Sequence, residues 1–247
     1  AAQAVRASLA LKLTGTERKS HVMDLVFDEG LALWTGLNVP PKTTFLSQYS
    51  GRLGPRRLAA LLAGWIRTLR GQGVLPGHSF NLDFHPIPYF GTDEFVEKHY
   101  LSRRSRRQPS VLAFLAQDAD TRVLCYCDAD VRKGEEAEQV LAFVRFWTRQ
   151  TGKPPPHLVF DSRLTTYRKL AELTALGVLF ITLRRRSPGL LREIALQPRS
   201  AWRTVHLDTP QRLYQTPKVI DQRVHLREYG GPLRQLFVKD LGHEEPT

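Results

Sequence analysis

The order of short apolar runs and helical patterns between residues 79 and 183 constrains the fold of this chain more than any other feature. Three runs of strand length come first, and two more follow, each after an amphipathic helical pattern. The predicted strands are residues 79–87, 111–116, 122–127, 158–160 and 178–183, and the last two are expected to be buried. Because strands that alternate with helices build an α/β sheet, the order β-β-β-α-β-α-β predicts an α/β fold.

The connections between these strands predict how the sheet is arranged. A polar loop of hairpin length joins the second and third strands, so the second strand is antiparallel to the first and third. Helices at residues 135–150 and 165–176 return the later strands parallel, through right-handed crossovers. If the fourth strand pairs with the free side of the first, the result is a mixed sheet of order 3-2-1-4-5.

Two acidic residues lie at or near the carboxyl ends of the first and fourth strands. Asp83 is near the carboxyl end of the first strand, and Asp161 directly follows the fourth. Open α/β sheets bind their ligands at this edge, and neighbouring strands lie about 4.8 Å apart. The two carboxylates can therefore share a divalent cation or bridge two, as metal-dependent phosphoryl transfer requires.

Each candidate residue also has a purely structural interpretation. Asp161 can cap the helix that follows it, and Asp83 can be a surface acid on an edge strand. We expect Asp128 and Asp130, about 10 Å away across two strands, to be loop acids or caps. We expect His85 to be a partly buried structural histidine.

Helical patterns dominate the first 75 or so residues. A core-facing stripe predicts a helix that begins near Pro55 and ends near Gly71. Before it, residues 43–51 predict a short helix, so the pair is either a helix-turn-helix that reads DNA or part of a helical bundle. The stripe consists of Leu58, Leu61, Leu62, Trp65, Ile66 and Leu69.

The organisation along the chain predicts three parts. They are a helical region at residues 1–76, the α/β core at 77–186 and a β-rich part without helices at 187–247. Cys125 and Cys127 point to the same face of one predicted strand. We expect buried reduced thiols, because so local a disulfide would be strained and a zinc site would need two further ligands nearby.

The charge of the chain indicates its partner. The 247 residues carry a net charge of +12 with a pI near 10.1, which favours a polyanion, and nucleic acid before membrane. No apolar stretch approaches the roughly 20 residues of a membrane span, so we expect a soluble, cytoplasmic protein. Two arginine clusters either contact DNA phosphates or belong to solvated loops. They are Arg103, Arg104, Arg106 and Arg107, in a predicted loop at residues 102–108, and Arg184, Arg185 and Arg186 after the fifth strand.

Three stretches of the chain resemble motifs of insertion-sequence transposases of the DDE type. They are residues 81–91, 159–167 and 177–186, and the likeness covers roughly residues 34–247. The first two stretches resemble the first and second acidic motifs of the family. The second stretch is the more specific.

The resemblance implies an RNase H-like core with a β-rich insertion after the fifth strand. It implies that Asp83 and Asp161 hold Mg²⁺ or Mn²⁺, two ions in the complete protein, for DNA strand cleavage and transfer. The implied partner is double-stranded DNA at transposon ends, with a homodimer on DNA as a candidate assembly, in a bacterial cytoplasm and at its nucleoid.

The third acid of the family, a glutamate on a late helix, has no match in the chain. We expect it beyond Thr247, in which case the chain is a piece of a longer protein and is inactive alone. The second interpretation is a DNA-binding remnant of a transposase without catalysis. A third, a metal-dependent phosphohydrolase for small molecules, is disfavoured by the net charge of +12.

Overall fold

The fold is taken from a computed structural model, which describes residues 2–16, 18–38, 41–101, 104–162, 165–208 and 215–239. The chain divides into two compact units, Ala1–Trp65 and Ile66–Thr247, which are described separately. The α-helices are α1 (Ala2–Leu13), α2 (Glu29–Thr35), α3 (Thr43–Tyr49), α4 (Pro55–Gly71), α5 (Glu136–Thr151), α6 (Tyr167–Ala175) and α7 (Pro188–Ala195). The strands are β1 (Ser79–Pro88), β2 (Lys98–Leu101), β3 (Arg106–Asp118), β4 (Leu124–Asp128), β5 (His157–Phe160), β6 (Leu179–Thr182), β7 (Arg203–Thr204), β8 (Lys218–Leu226) and β9 (Gly231–Lys239).

The first unit has a small core that α1, α3 and the 3₁₀ turn at Lys19–Leu25 share. Its buried side chains are Ala7, Leu11, Val22 and Leu46. The helix predicted from Pro55 is confirmed as α4, but only part of its apolar stripe is buried. Leu58 and Leu61 are about half exposed, whereas Ile66 and Leu69 are buried. The stripe is only partly buried because an apolar stripe shows which side chains avoid water, but not what covers them.

The main sheet of the second unit is mixed, as predicted. Its strand order is β2-β3-β1-β5-β6, and β4 also pairs with β3. Strand β3 is antiparallel to β1, β2 and β4, whereas β1, β5 and β6 are parallel neighbours. The predicted adjacency of the two aspartate-bearing strands, β1 and β5, is confirmed. Strand β2 was not predicted.

One face of this sheet is covered by aromatic side chains of α5. The ring of Phe80 in β1 lies 4.5 Å from that of Trp147 and 5.1 Å from that of Phe143, measured between centroids. Gly77 precedes β1 with a φ of +72°, and a Cβ there would lie 2.4 Å from the Trp147 ring. Only glycine fits at this position, because both the backbone conformation and the packing exclude a side chain.

The opposite face of the sheet is exposed along β5 and β6. Leu179 and Ile181 of β6 are both more than 60% exposed, and Leu183 beyond it is equally exposed. The sequence predicted buried strands here, and for this face the prediction is wrong. A run of apolar residues fits a strand buried on both faces, but the helices α5 and α6 cover only one.

The last part of the chain is a three-stranded antiparallel sheet of order β7-β8-β9. Helix α7 packs on it through Leu190 and Ile194, which contact Ile220 and Phe237. The sequence predicted no helix after residue 186, which is wrong. Ser187 caps α7 by accepting a hydrogen bond from the Leu190 amide, so the Ser-Pro-Gly segment that suggests a turn begins a helix.

Candidate nucleic-acid and metal site

The main sheet places Asp83 and Asp161 at matching positions of adjacent strands. Leu82 and Phe160 are the last paired residues of the parallel β1–β5 ladder, and each aspartate is the next residue along its strand direction. Leu82 and Phe160 are buried on the face that the helices cover. Because side chains alternate between faces, Asp83 and, one residue past β5, Asp161 belong to the open face.

Both carboxylates are exposed and each has one local hydrogen bond. Oδ1 of Asp83 accepts the backbone N–H of Phe84 at 2.8 Å, and Oδ1 of Asp161 accepts the hydroxyl of Ser162 at 3.0 Å. Within the described part of the chain, the Oδ2 atoms accept no hydrogen bond. One oxygen of each carboxylate is thus available to a cation or to solvent.

The helix cap that was an alternative role for Asp161 belongs to another residue. Thr166 is the N-cap of α6, and its hydroxyl accepts the backbone N–H of Lys169 at 3.4 Å. Asp161 lies outside that cap. The helix α6 therefore takes its cap from Thr166 and not from Asp161.

Other acids near the same edge of the sheet do not join the pair. Asp128 pairs with Phe114, on the face that α5 covers and opposite to Asp83, and its Oδ1 accepts the backbone N–H of Asp130 at 3.0 Å. Asp130 lies 3.6 Å from the guanidinium of Arg132. Asp130 is thus a loop acid, as expected, whereas Asp128 is the last residue of β4. His85, by contrast, is exposed, so the expected partial burial is wrong.

Two carboxylates are the donor set that the described residues offer. Among these residues, no group of three His, Cys, Asp or Glu side chains is placed to hold a metal ion. Mg²⁺ fits a site of this kind because it keeps several waters and is commonly bound by one or two carboxylates. The pair fits a hydrated divalent cation and does not enclose one.

The first arginine cluster lies partly on a strand. The sequence predicted a loop at residues 102–108, but Arg106 and Arg107 begin β3 and pair with β2, so the loop prediction is wrong for them. Both side chains are exposed. Arg104 lies over the ring of Phe90 at 5.4 Å and donates to Oε1 of Gln108 at 3.2 Å. Arg103 lies outside the described residues.

The second cluster directly follows β6. Arg185 and Arg186 are exposed, whereas Arg184 is half-buried and donates a hydrogen bond to Oε1 of Gln235 in β9. Arg184 thus connects the main sheet to the small sheet. A guanidinium held in this way is less available to phosphate than one that faces solvent.

The two cysteines differ in their surroundings. Cys125 is fully buried and Cys127 is exposed, so the prediction of two buried thiols is wrong for Cys127. A register shift in the β3–β4 ladder after Ala116 breaks the regular alternation. Burial, and then the nearby carboxylate of Asp118, raise the pKa of Cys125 to about 12. A thiol of this kind stays protonated and is a poor nucleophile or metal ligand.

Asp118 is a buried acid with a structural role that was not predicted from the sequence. It is fully buried at the end of β3. Its Oδ2 accepts the N–H of Gly77 at 3.0 Å, and its Oδ1 accepts the amides of Asp120 and Thr121 and the Thr121 hydroxyl. The Asp-Ala-Asp-Thr sequence after β3 is the signal, because Asp side chains commonly accept amides two and three residues on.

No helix within the described ranges is both long enough and apolar enough to cross a lipid bilayer. No protein-family model and no curated protein matches the chain. Among solved structures, the chain is similar to a piggyBac transposase synaptic complex with hairpin DNA, with 11% identity and a TM-score of 0.44 over 95% of this chain and 51% of that chain. It is also similar to the Mos1 mariner paired end complex with Mn, with 12% identity and a TM-score of 0.27 over 70% of this chain and 61% of that chain. The chain spans about half of the first structure's chain and about three fifths of the second's.

Proposed function

We propose that the chain carries the DNA-binding surface and two metal-binding acids of a DDE-type transposase with an RNase H-like core. Its activity would be metal-dependent cleavage and transfer of DNA strands. The observation that carries the proposal is the register of β1 and β5, which brings Asp83 and Asp161 to matching positions where the parallel β1–β5 ladder ends, Asp83 in the middle of β1 and Asp161 directly after β5. Open α/β sheets bind ligands beyond the carboxyl ends of their strands, and Asp161 lies at such an end.

The acidic residues would bind the cations, and the arginines would bind the DNA. Asp83 and Asp161 would each contribute a carboxylate oxygen to Mg²⁺ or Mn²⁺, two ions in the complete protein. Bound there, the cations would supply activation of the attacking oxygen and stabilisation of the leaving one. Arg107 and Arg185, which are exposed, would hold the phosphate backbone of double-stranded DNA at transposon ends, whereas Arg106 lies on the other face of β3.

The open face of the sheet is the natural side for the DNA. Asp83 points to this face, and the opposite face is filled by α5. Arg107 belongs to the same side as Asp83, because Asp83 pairs with Leu115 and residues 107 and 115 of β3 share one face. A duplex on this side can touch the arginine and the acids together.

A second candidate function is DNA binding without catalysis. It is favoured by the lack of a third acid near Asp83 and Asp161 among the described residues. Two carboxylates bind a divalent ion weakly, since Mg²⁺ prefers six ligands in near-octahedral geometry. The resemblance implies a further glutamate for full activity, so both candidates predict little strand cleavage by this chain alone.

Metal binding separates the two candidates. We expect Mn²⁺, followed by electron paramagnetic resonance of the free ion, to bind the chain weakly, and the double variant Asp83→Asn, Asp161→Asn to lose that binding. Asparagine keeps the shape of aspartate but removes the charge that attracts the ion. The matched control is Asp128→Asn, which removes one acid at the same edge but on the other face of the sheet.

The result has two clear outcomes. If binding is lost in the double variant and kept in Asp128→Asn, the acids hold the ion. If the double variant binds Mn²⁺ as the native chain does, the proposed metal site is wrong and DNA binding without catalysis remains.

A further inference from the structure

Strand β2 and the start of β3 form an arm whose one face is both aromatic and basic. Tyr100 pairs directly with Arg107, and Lys98 is two residues before Tyr100 on the same face. Side chains of directly opposed residues lie about 5 Å apart at Cβ. The ring of Tyr100 thus has two cationic side chains as neighbours on one face, Arg107 across the strand pair and Lys98 along the strand.

These three side chains face solvent. Tyr100 is 56% exposed, and Lys98 and Arg107 are exposed. No ion pair or side-chain hydrogen bond engages either cation within the described part of the chain. An unpaired cation beside an exposed ring can bind an anion directly, whereas a cation in an ion pair must first give up its carboxylate partner.

The arm shares a face with the proposed metal site. The pairings of β3 with β1 and with β2 put Asp83, Arg107 and Tyr100 on one side of the sheet. No acid lies between Asp83 and the arm on this face of β1 and β3. Eight residues of β3 separate the two places, about 27 Å of strand, or about eight nucleotides at 3.4 Å each.

We propose that this face of the arm binds unpaired nucleotides of DNA, with a base stacked on Tyr100 and phosphates held by Lys98 and Arg107. The proposal rests on the proposed function, and it specifies that the DNA has a single-stranded segment about 27 Å from the cleavage site. Aromatic rings with flanking cations bind single strands without sequence preference, because every base has a π-face. In a duplex the bases are stacked on each other and cannot lie on the ring.

The arm can be tested without metal, by fluorescence anisotropy of a labelled single strand and a blunt duplex in the presence of a chelator. We expect Tyr100→Ala to weaken single-strand binding roughly 5- to 150-fold, the range measured for removal of one stacked base. Duplex binding should be unchanged. Tyr100→Phe should keep native affinity for both, because the ring is retained.

The two cations have a different signature. Lys98→Ala and Arg107→Ala should each reduce the slope of log affinity against log salt by about 0.7 on the single strand, whereas Tyr100→Ala should leave the slope unchanged. Phe27→Ala is the matched control, since Phe27 is an aromatic residue of the first unit that is 94% exposed. A circular dichroism spectrum equal to that of the native chain verifies that each variant is folded.

Each outcome is decisive. Unchanged single-strand affinity in Tyr100→Ala, or equal losses on single strand and duplex, would overturn the arm proposal while DNA binding itself stands. If the native chain binds neither DNA, the DNA part of the proposed function fails and the arm proposal fails with it. Loss of Mn²⁺ binding in the aspartate variants is measured separately and does not depend on the arm.

Discussion

Asp83 and Asp161 each directly follow one member of a buried cross-strand pair, because Leu82 of β1 pairs with Phe160 of the parallel strand β5. The buried pair holds the two strands in register, and the aspartates take their positions from it. Asp83 is thereby fixed within a strand, and Asp161 is the first residue after one. A side chain on a strand is positioned more reproducibly than one on a loop.

A methyl group added at Gly77 should strongly reduce the stability of the fold. Gly77→Ala should lower the free energy of unfolding by at least about 2 kcal/mol, because the new Cβ meets the Trp147 ring and the backbone has a positive φ. Urea denaturation measures the change. Gly134→Ala, also at a positive φ but with open space around it, is the control and should cost less. Equal losses would show that the packing against Trp147 does not matter.

Much of the α/β core could be predicted from the sequence, because its strands and helices are separated by strong turn signals. Gly152 and the prolines after it end α5, and Gly177 follows α6 with a φ of +75°. The hairpin and the crossovers then leave few ways to order the sheet. The adjacency of β1 and β5 follows from these local features.

Short elements were beyond prediction for a physical reason. Strand β2 has four residues and becomes a strand only because β3 extends to Arg106 and pairs with it. Helix α7 has eight residues and begins in Pro188-Gly189, which also suits a turn. In both cases tertiary contacts decide the structure, and local sequence preference is weak.

The buried thiol predicts a dependence of stability on alkaline pH. The pKa of Cys125 is raised to about 12 in the folded protein, above the usual value, so the fold favours the neutral thiol. The stabilisation is complete below about pH 9 and is lost as the pH rises toward 12, by about 1.4 kcal/mol for each pH unit. Cys125→Ala should remove this decline, as measured by urea denaturation from about pH 8 to about pH 11. Cys127→Ala should retain most of it, and an undiminished decline in Cys125→Ala would exclude the buried thiol as its source, since burial also raises the pKa values of Tyr126 and Cys127.

An unsatisfied hydroxyl at the end of β6 predicts a neutral or stabilising substitution. Oγ1 of Thr182 is buried and has no hydrogen-bond partner among the described residues. Thr182→Val keeps the shape and removes the buried polar atom, so the free energy of unfolding should stay the same or rise by about 1 kcal/mol. Thr174→Val is the control, because its hydroxyl is 3.2 Å from the Leu170 carbonyl and 2.8 Å from the Tyr229 hydroxyl. That variant should lose about 1 kcal/mol. A loss at Thr182 as large as that would indicate a hidden partner.

Duplex binding should depend on salt through Arg107, the arginine of β3 that lies on the open face of the sheet. Arg107→Ala should flatten the slope of log affinity against log salt by about 0.9 units, if its side chain touches one phosphate. The control is Arg145→Ala, which removes the same charge from the exposed side of α5, across the sheet from Asp83. Salt titrations of duplex binding measure both slopes. Equal slopes for the two variants would mean that net charge, and not the open face, attracts the DNA.

The two aspartates should couple divalent ions to DNA binding. With a chelator present, Asp83→Asn together with Asp161→Asn should raise duplex affinity modestly, because two negative charges are removed from a surface that faces phosphates. Added Mg²⁺ screens phosphates equally for both proteins, but in the native chain it also neutralises the acids. The native chain should therefore lose less affinity than the variant when Mg²⁺ is titrated at constant ionic strength. Fluorescence anisotropy with a labelled duplex measures the difference, and Asp128→Asn should behave as the native chain does. Identical Mg²⁺ dependence in the native chain and in the double variant would show that these carboxylates do not bring the ion to the DNA.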